Sequence, residues 1–189
     1  MSNINICVAC DDNYAKYAGV VITSILSNSE DSTNLYFYIL DGGISKEHQN
    51  EILSLKNIKN CSINFVKINE EDFQEYQKVC THKYITIATY YRLKLASLLP
   101  NIHRVIYLDC DTVVNCDLTE LFNIPLTTEV FAGSHDIDKK TVEVNPTYVN
   151  AGVLVIDLDN MRQGRLEEKF LKYTQENFET ITCGDQTII

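Results

Sequence analysis

The chain has 189 residues, 45% of them hydrophobic, with a formal net charge of -10 and a sequence pI near 4.8. That suits one compact domain, residues 1–189, and leaves too little for a second full one. So acidic a chain argues against a nucleic-acid surface, which needs clustered Lys and Arg. Seven cysteines, an odd number at irregular spacing, argue against a disulfide scaffold or a zinc site and for reduced, mostly core thiols in a cytoplasmic protein.

In chain order, Ile4 to Cys10 reads as a short strand that breaks at Asp11-Asp12-Asn13. From Tyr14, the apolar residues Ala18, Val21, Ile22, Ile25 and Leu26 recur at helical spacing up to Asn28. Leu35 to Leu40 is a second strand stopped by Asp41-Gly42-Gly43, Ser45 caps a second amphipathic helix, and Ser62 to Ile68 is a third strand. Two strand-helix alternations of this length predict a parallel, doubly wound α/β sheet. Glu70 to Lys78 is a short polar turn, and Ile87 to Leu99 reads as a helix limited by Pro100. The apolar run Arg104 to Val114 is the central strand. Leu118 to Phe122 is one turn, Val130 to Ser134 a strand, and residues 137–147 a mobile loop over the carboxyl edge. Tyr148 to Ile156 is a longer strand, Met161 to Phe178 a helix, and Asp185-Gln186 opens a last element. No basic segment followed by a long apolar run marks a secretory signal at Met1 to Asn5, and no apolar stretch approaches the ~18 residues of a membrane span.

The central strand delivers Asp109 and Asp111 one residue apart, and in an extended backbone residues i and i+2 share a face. Two adjacent carboxylates at the carboxyl end of a strand, where open α/β sheets bind ligands, call for a cation. A hard divalent ion such as Mg2+ or Mn2+ bridging to a diphosphate is the simplest. The alternative is a solvated strand-to-turn junction. Asp11-Asp12-Asn13-Tyr14 sits at the first strand's end, where Asp and Asn can pair with a base edge while Tyr stacks on its face; helix capping explains it equally. Asn150-Ala151-Gly152 lets a ligand approach the backbone closely, or marks a bulge. Gly184-Asp185-Gln186 combines a permissive glycine with an acid and an amide, and a loop-to-helix start explains it as well. Arg92, amid aromatics and leucines, reads as a snorkelling surface residue or as the cation for an anionic ligand.

Taken together, Ala9-Cys10-Asp11-Asp12-Asn13-Tyr14, Thr89-Tyr90-Tyr91-Arg92-Leu93, Tyr107-Leu108-Asp109-Cys110-Asp111, Tyr148-Val149-Asn150-Ala151-Gly152-Val153 and Asp185-Gln186 resemble, in order, the tracts of glycosyltransferase family eight. This family of retaining enzymes includes lipopolysaccharide galactosyl- and glucosyltransferases and glycogenin. The resemblance implies a nucleotide-diphospho-sugar, Rossmann-like domain with a mainly parallel mixed sheet. It implies hexosyl transfer from UDP-glucose or UDP-galactose to a saccharide acceptor in cell-surface glycan synthesis. By that resemblance Asp11, Asn13 and Tyr14 hold the uridine, and Asp109 and Asp111, flanking Cys110 in a DxD motif, hold manganese or magnesium. Arg92 contacts the donor, while Asn150, Ala151, Asp185 and Gln186 surround the sugar, with Asp136 at its far side. Gln186 is the candidate catalytic residue and Asp185 the lesser one, as a covalent nucleophile.

The family's third metal ligand is a histidine in a His-x-x-Gly-x-x-Lys-Pro-Trp tract that these 189 residues lack; no tryptophan occurs. The expectation is therefore that the C-terminal part of the fold, and any peripheral membrane contact it makes, lies beyond Ile189. Residues 1–189 alone would then bind metal weakly and transfer little. A catalytically incomplete nucleotide-sugar-binding module is the non-enzymatic alternative. A third reading is a haloacid-dehalogenase-type phosphatase, with Asp109 as nucleophile and Asp111 as acid/base. Against it, the motif comes more than 100 residues into the chain, and Gly184-Asp185 is followed by Gln186-Thr187-Ile188-Ile189 without a second acid.

Overall fold

The computed structural model describes residues 2–80, 86–135, 148–181 and 184–189. A six-stranded sheet in the order β3-β2-β1-β4-β6-β5 runs through it. β1 (Ser2–Cys10) lies between β2 (Thr33–Asp41) and β4 (Arg104–Leu108) and is parallel to both, and β3 (Ser62–Lys67) adds a further parallel edge. β6 (Val149–Asp157) runs antiparallel to β4 and to β5 (Phe131–His135), so the sheet is mixed and mainly parallel.

The interior strands read as near-continuous apolar runs because both faces are covered. Pleating sorts their side chains. Ile4, Ile6, Val8 and Cys10 join Ile106, Leu108 and Cys110 on the face covered by α1 (Ala15–Asn28) and α2 (Lys46–Ser54). Cys7, Val105 and Tyr107 belong to the opposite layer, with Tyr90, Leu93 and Leu95. The expected cap of α2 is present: the Ser45 hydroxyl accepts the His48 N–H at 3.3 Å.

Three elements differ from expectation. Ile87 to Leu99 is a 3-10 run, Ile87–Lys94, followed by a single α turn, α4 (Leu95–Leu98). Four consecutive side chains, Tyr90 to Leu93, are buried there, which an amphipathic α-helix with one solvent face does not allow. The segment threads through the core instead of lying on it. The polar stretch before it is the short turn expected, a 3-10 turn, Glu70–Phe73, running into α3 (Gln74–Gln77).

β4 stops at Leu108, short of the carboxylates. The Thr112 hydroxyl (2.8 Å) and N–H (3.3 Å) both donate to the Asp109 carbonyl and close a turn, so Asp109 and Asp111 do not share the face of an extended strand. After the one-turn α5 (Thr119–Phe122), the expected helix from Met161 to Phe178 is two: α6 (Leu158–Gln163) and α7 (Leu166–Asn177). Arg165 sits between them at φ 50°, the left-handed region that ends a helix. Asp136 and the loop 137–147 lie outside the described residues.

Candidate functional site

At the carboxyl ends of β1 and β4 a cavity of about 290 Å³ opens, lined among others by Asp11, Tyr14, Arg92, Tyr107, Asp109, Asp111, Asp185 and Gln186. Arg92 is its anchor and is only 4% exposed, so the snorkelling reading fails. One guanidinium nitrogen donates to Asp109 Oδ1 at 2.6 Å, another donates to the Ala151 carbonyl, and Nε donates to the Thr89 carbonyl at 3.0 Å. The planar group also lies 4.2 Å above the Tyr107 ring, a cation-π contact in a desolvated setting. Burial works against its charge, and Tyr107, Asp185 and Asp109 more than offset this, holding its pKa above the ordinary value.

Asp185 enters from the 3-10 turn Gly184–Thr187, whose Gly184 takes φ 60°. Its carboxylate is buried with Oδ2 3.0 Å from Arg92 Nε, yet among the described residues that oxygen accepts no hydrogen bond, because the single Nε proton points at Thr89. The interaction is thus Coulombic without a donated proton. Burial pushes the Asp185 carboxyl up to about 6, against the pull of Arg92 and with the push of Asp109. Asp109 is partly exposed, and its second oxygen faces Gly152, where an added Cβ would meet it at 2.8 Å. The close approach inferred at Asn150-Ala151-Gly152 is therefore made first by the protein's own carboxylate.

Several expected residues are committed locally. The Asn150 side-chain oxygen accepts from Gly152 N–H at 2.9 Å, and Gln186 Oε1 accepts from Ala151 N–H at 3.1 Å, which orients the amide over the cavity. Asp11 Oδ1 accepts from Tyr14 N–H at 3.1 Å. Tyr14 is partly exposed, its ring 5.5 Å from that of Tyr17, and Asn13 is exposed and outside the cavity lining. Cys110 turns its thiol to the Ala9 carbonyl, 3.3 Å away. Tyr107 was not anticipated, although it precedes Asp109 by only two residues and lines the same cavity.

The cavity-lining carboxylates Asp109 and Asp111 are hard-oxygen donors, the ligand type that Mg2+ and Mn2+ take, and the Cys110 thiol is turned to the Ala9 carbonyl. Among the described residues no group of three metal-ligating side chains forms. His48 binds Asp12 and His103 binds Asp159, each at 2.7 Å.

The family model for Glycosyl transferase family 8 matches residues 5–189. The chain belongs to this family. A putative glycosyltransferase of Haemophilus influenzae is 35% identical over 195 residues, covering 98% of this chain and 58% of that protein. A lipopolysaccharide 1,2-glucosyltransferase of Escherichia coli K12 is 29% identical, covering 98% and 57%. This chain thus spans well under two thirds of the length of these relatives. The galactosyltransferase LgtC, solved in complex with donor and acceptor sugar analogues, superposes with a TM-score of 0.86 at 29% identity, covering 98% of this chain and 69% of that one. Membership in the family sets aside the phosphatase reading.

Proposed function

We propose that residues 1–189 form the donor-binding unit of a retaining hexosyltransferase that takes UDP-glucose or UDP-galactose and passes the hexose to a saccharide acceptor in cell-surface glycan synthesis. One observation carries the reading: the cavity gathers four carboxylates, Asp11, Asp109, Asp111 and Asp185, around one buried guanidinium. Such a lining repels a bare diphosphate. It suits a ligand that brings a divalent cation with its diphosphate and offers many hydroxyls to carboxylate acceptors. Family membership and the likeness to LgtC, solved with donor and acceptor sugar analogues, support it. Among the described residues no disulfide joins the six cysteines, which fits a cytoplasmic setting, and no described helix is long and apolar enough to cross a membrane.

In this reading Asp11 and Tyr14 meet the uridine, with Asn13 at the rim, and Asp109 and Asp111 hold manganese or magnesium. The cation supplies neutralisation of the charge that grows on the UDP leaving group. Arg92 fixes Asp109 and Asp185 so that neither reorganises during reaction. Asp185, Asn150 and Ala151 border the hexose. Gln186, held by Ala151, presents its amide to the anomeric side, and an active-site mutant of LgtC that replaces a glutamine with glutamate supports that placement. The acceptor oxygen bonds to C1 on the face from which UDP leaves, and its proton passes to the departing phosphate oxygen. Asp136 remains a candidate for the far side of the sugar.

A thermal-shift panel of UDP, UDP-glucose, UDP-galactose, GDP and ADP with manganese tests this. At a hundredfold excess over Kd, the expected stabilisation by uridine ligands is about 2.7 kcal/mol, or roughly 5–10 °C for a chain of this size. No shift with any uridine ligand, or equal shifts with GDP and ADP, would overturn the reading.

A further inference from the structure

Two thiols meet at the floor of the cavity, and the transfer chemistry uses neither. β1 and β4 are parallel neighbours, and past the end of β4 the Cys110 thiol lies 3.3 Å from the carbonyl of Ala9, the residue before Cys10, which brings the two cysteines to one place. Both side chains lie in the layer under α1, and both line the cavity. The other described thiols are placed differently. Cys7 is three residues before Cys10, a Cys-x-x-Cys spacing, but on a strand this sends it to the opposite layer; Cys61 and Cys80 are half-buried and Cys116 is exposed.

We propose that Cys10 and Cys110 are an oxidative modification site, at which a hydroperoxide converts the two thiols into a disulfide joining the ends of β1 and β4. One thiolate attacks the peroxide oxygen, cleaving the O–O bond to give a sulfenic acid and expelling water or an alcohol. The second sulfur then displaces water from the sulfenic sulfur, forming the S–S bond. Two S–H bonds are lost, the cysteine pair is oxidised by two electrons, and the peroxide is reduced. The pair is more than 90% buried, so it reacts more slowly than exposed Cys116, and access runs through the cavity.

The functional consequence rests on the donor-binding reading. Bonding Cys110 to Cys10 draws its sulfur away from the Ala9 carbonyl and re-forms the turn whose two flanking residues are Asp109 and Asp111. Donor binding then falls while the fold persists.

The test uses the full chain carrying Cys116→Ser, treated with hydrogen peroxide, then alkylated under denaturing conditions and digested without reduction. Mass spectrometry is expected to find a peptide linking residues 10 and 110, 2 Da lighter than its parts and released by dithiothreitol; Cys10→Ala in the same background abolishes it. Full alkylation of both cysteines at peroxide doses that oxidise Cys116 in the unsubstituted chain would overturn the site. Calorimetric titration with UDP and manganese before oxidation, after it, and after dithiothreitol is expected to show at least a tenfold reversible loss of affinity. Unchanged affinity in cross-linked protein would overturn the consequence. Reduced protein that binds no UDP would count against the donor reading while leaving the cross-link standing.

Discussion

Two neighbouring strands of the sheet each end in a pair of acids one or two residues apart, and the pairs are used in opposite ways. At the end of β1, Asp12 is spent on the protein itself, and Asp11 commits one oxygen to it while still bordering the cavity. Asp11 accepts the Tyr14 N–H, while Asp12 Oδ1 lies 2.7 Å from both the Ser45 N–H and His48 Nδ1, pinning the start of α2. At the end of β4, Asp109 leans on the buried Arg92, and Asp111 stands exposed at the cavity with no ion pair among the described residues. An acid such as Asp12, shared between a backbone N–H and a histidine away from the cavity, is structural. An acid held by a buried cation beside an open cavity has lone pairs left for a ligand.

The largest way to break this contrast is Arg92→Met. It strands Asp109 and the buried Asp185 without their cation, and the expected loss of stability is about 3–5 kcal/mol by denaturant unfolding. An accompanying carboxyl NMR titration should find the Asp185 midpoint, about 6 in the parent, moved higher, because Arg92 is what lowers it. A variant as stable as the parent would mean that the guanidinium does not organise the β4 side.

Gly152→Ala sharpens the contrast from the other strand. The new Cβ would stand 2.8 Å from Asp109 Oδ2 and 3.1 Å from Asn150 Oδ1, and Asp109 cannot swing aside without releasing Arg92. Melting should report a cost of about 1–3 kcal/mol, with UDP affinity reduced as well. Wild-type affinity would show that the carboxylate's position is not critical.

On the β1 side the effects are small. His48 has a raised pKa and Asp12 one lowered to about 2, His48 chiefly through its hydrogen bond with Asp12, Asp12 first through the Ser45 N–H. The sign follows from linkage. The His48 contribution is complete below its ordinary value of about 6.5 and fades as pH rises through the raised one. The Asp12 contribution is complete above about 3.9 and fades as pH falls through about 2. His48→Gln should therefore lower the melting temperature slightly between about pH 4 and 6.5 and less at pH 8. An effect larger at pH 8 would contradict the pairing.

Much of this fold was legible from residue order. β1 is largely buried on both faces and β2 on most of its length, so their apolar runs stand out, and the Ser45 cap and Asp41-Gly42-Gly43 stop mark boundaries that local chemistry fixes. The site was legible as a set of tracts, since Asp11, Tyr14, Arg92, Asp109, Asp111, Asp185 and Gln186 all border one cavity. What stayed hidden depends on tertiary neighbours. The burial of Arg92 is set by a carboxylate 17 residues away and a carbonyl 59 residues away. Its 3-10 path answers to packing on every side, which no single hydrophobic period encodes. The β4 ending depends on a Thr112 side chain bonding back to Asp109, a local competitor that the apolar run conceals.

The central claim is that the β4 acids, and not those of β1, recruit a divalent cation for a uridine diphosphate. Calorimetric titration of UDP into the parent and Asp109→Asn proteins, each in manganese and in EDTA, tests it most directly. The expected result is at least tenfold tighter binding with manganese in the parent, about 1.4 kcal/mol or more, and no manganese dependence in the variant. Equal UDP affinity with and without manganese in the parent would contradict the claim.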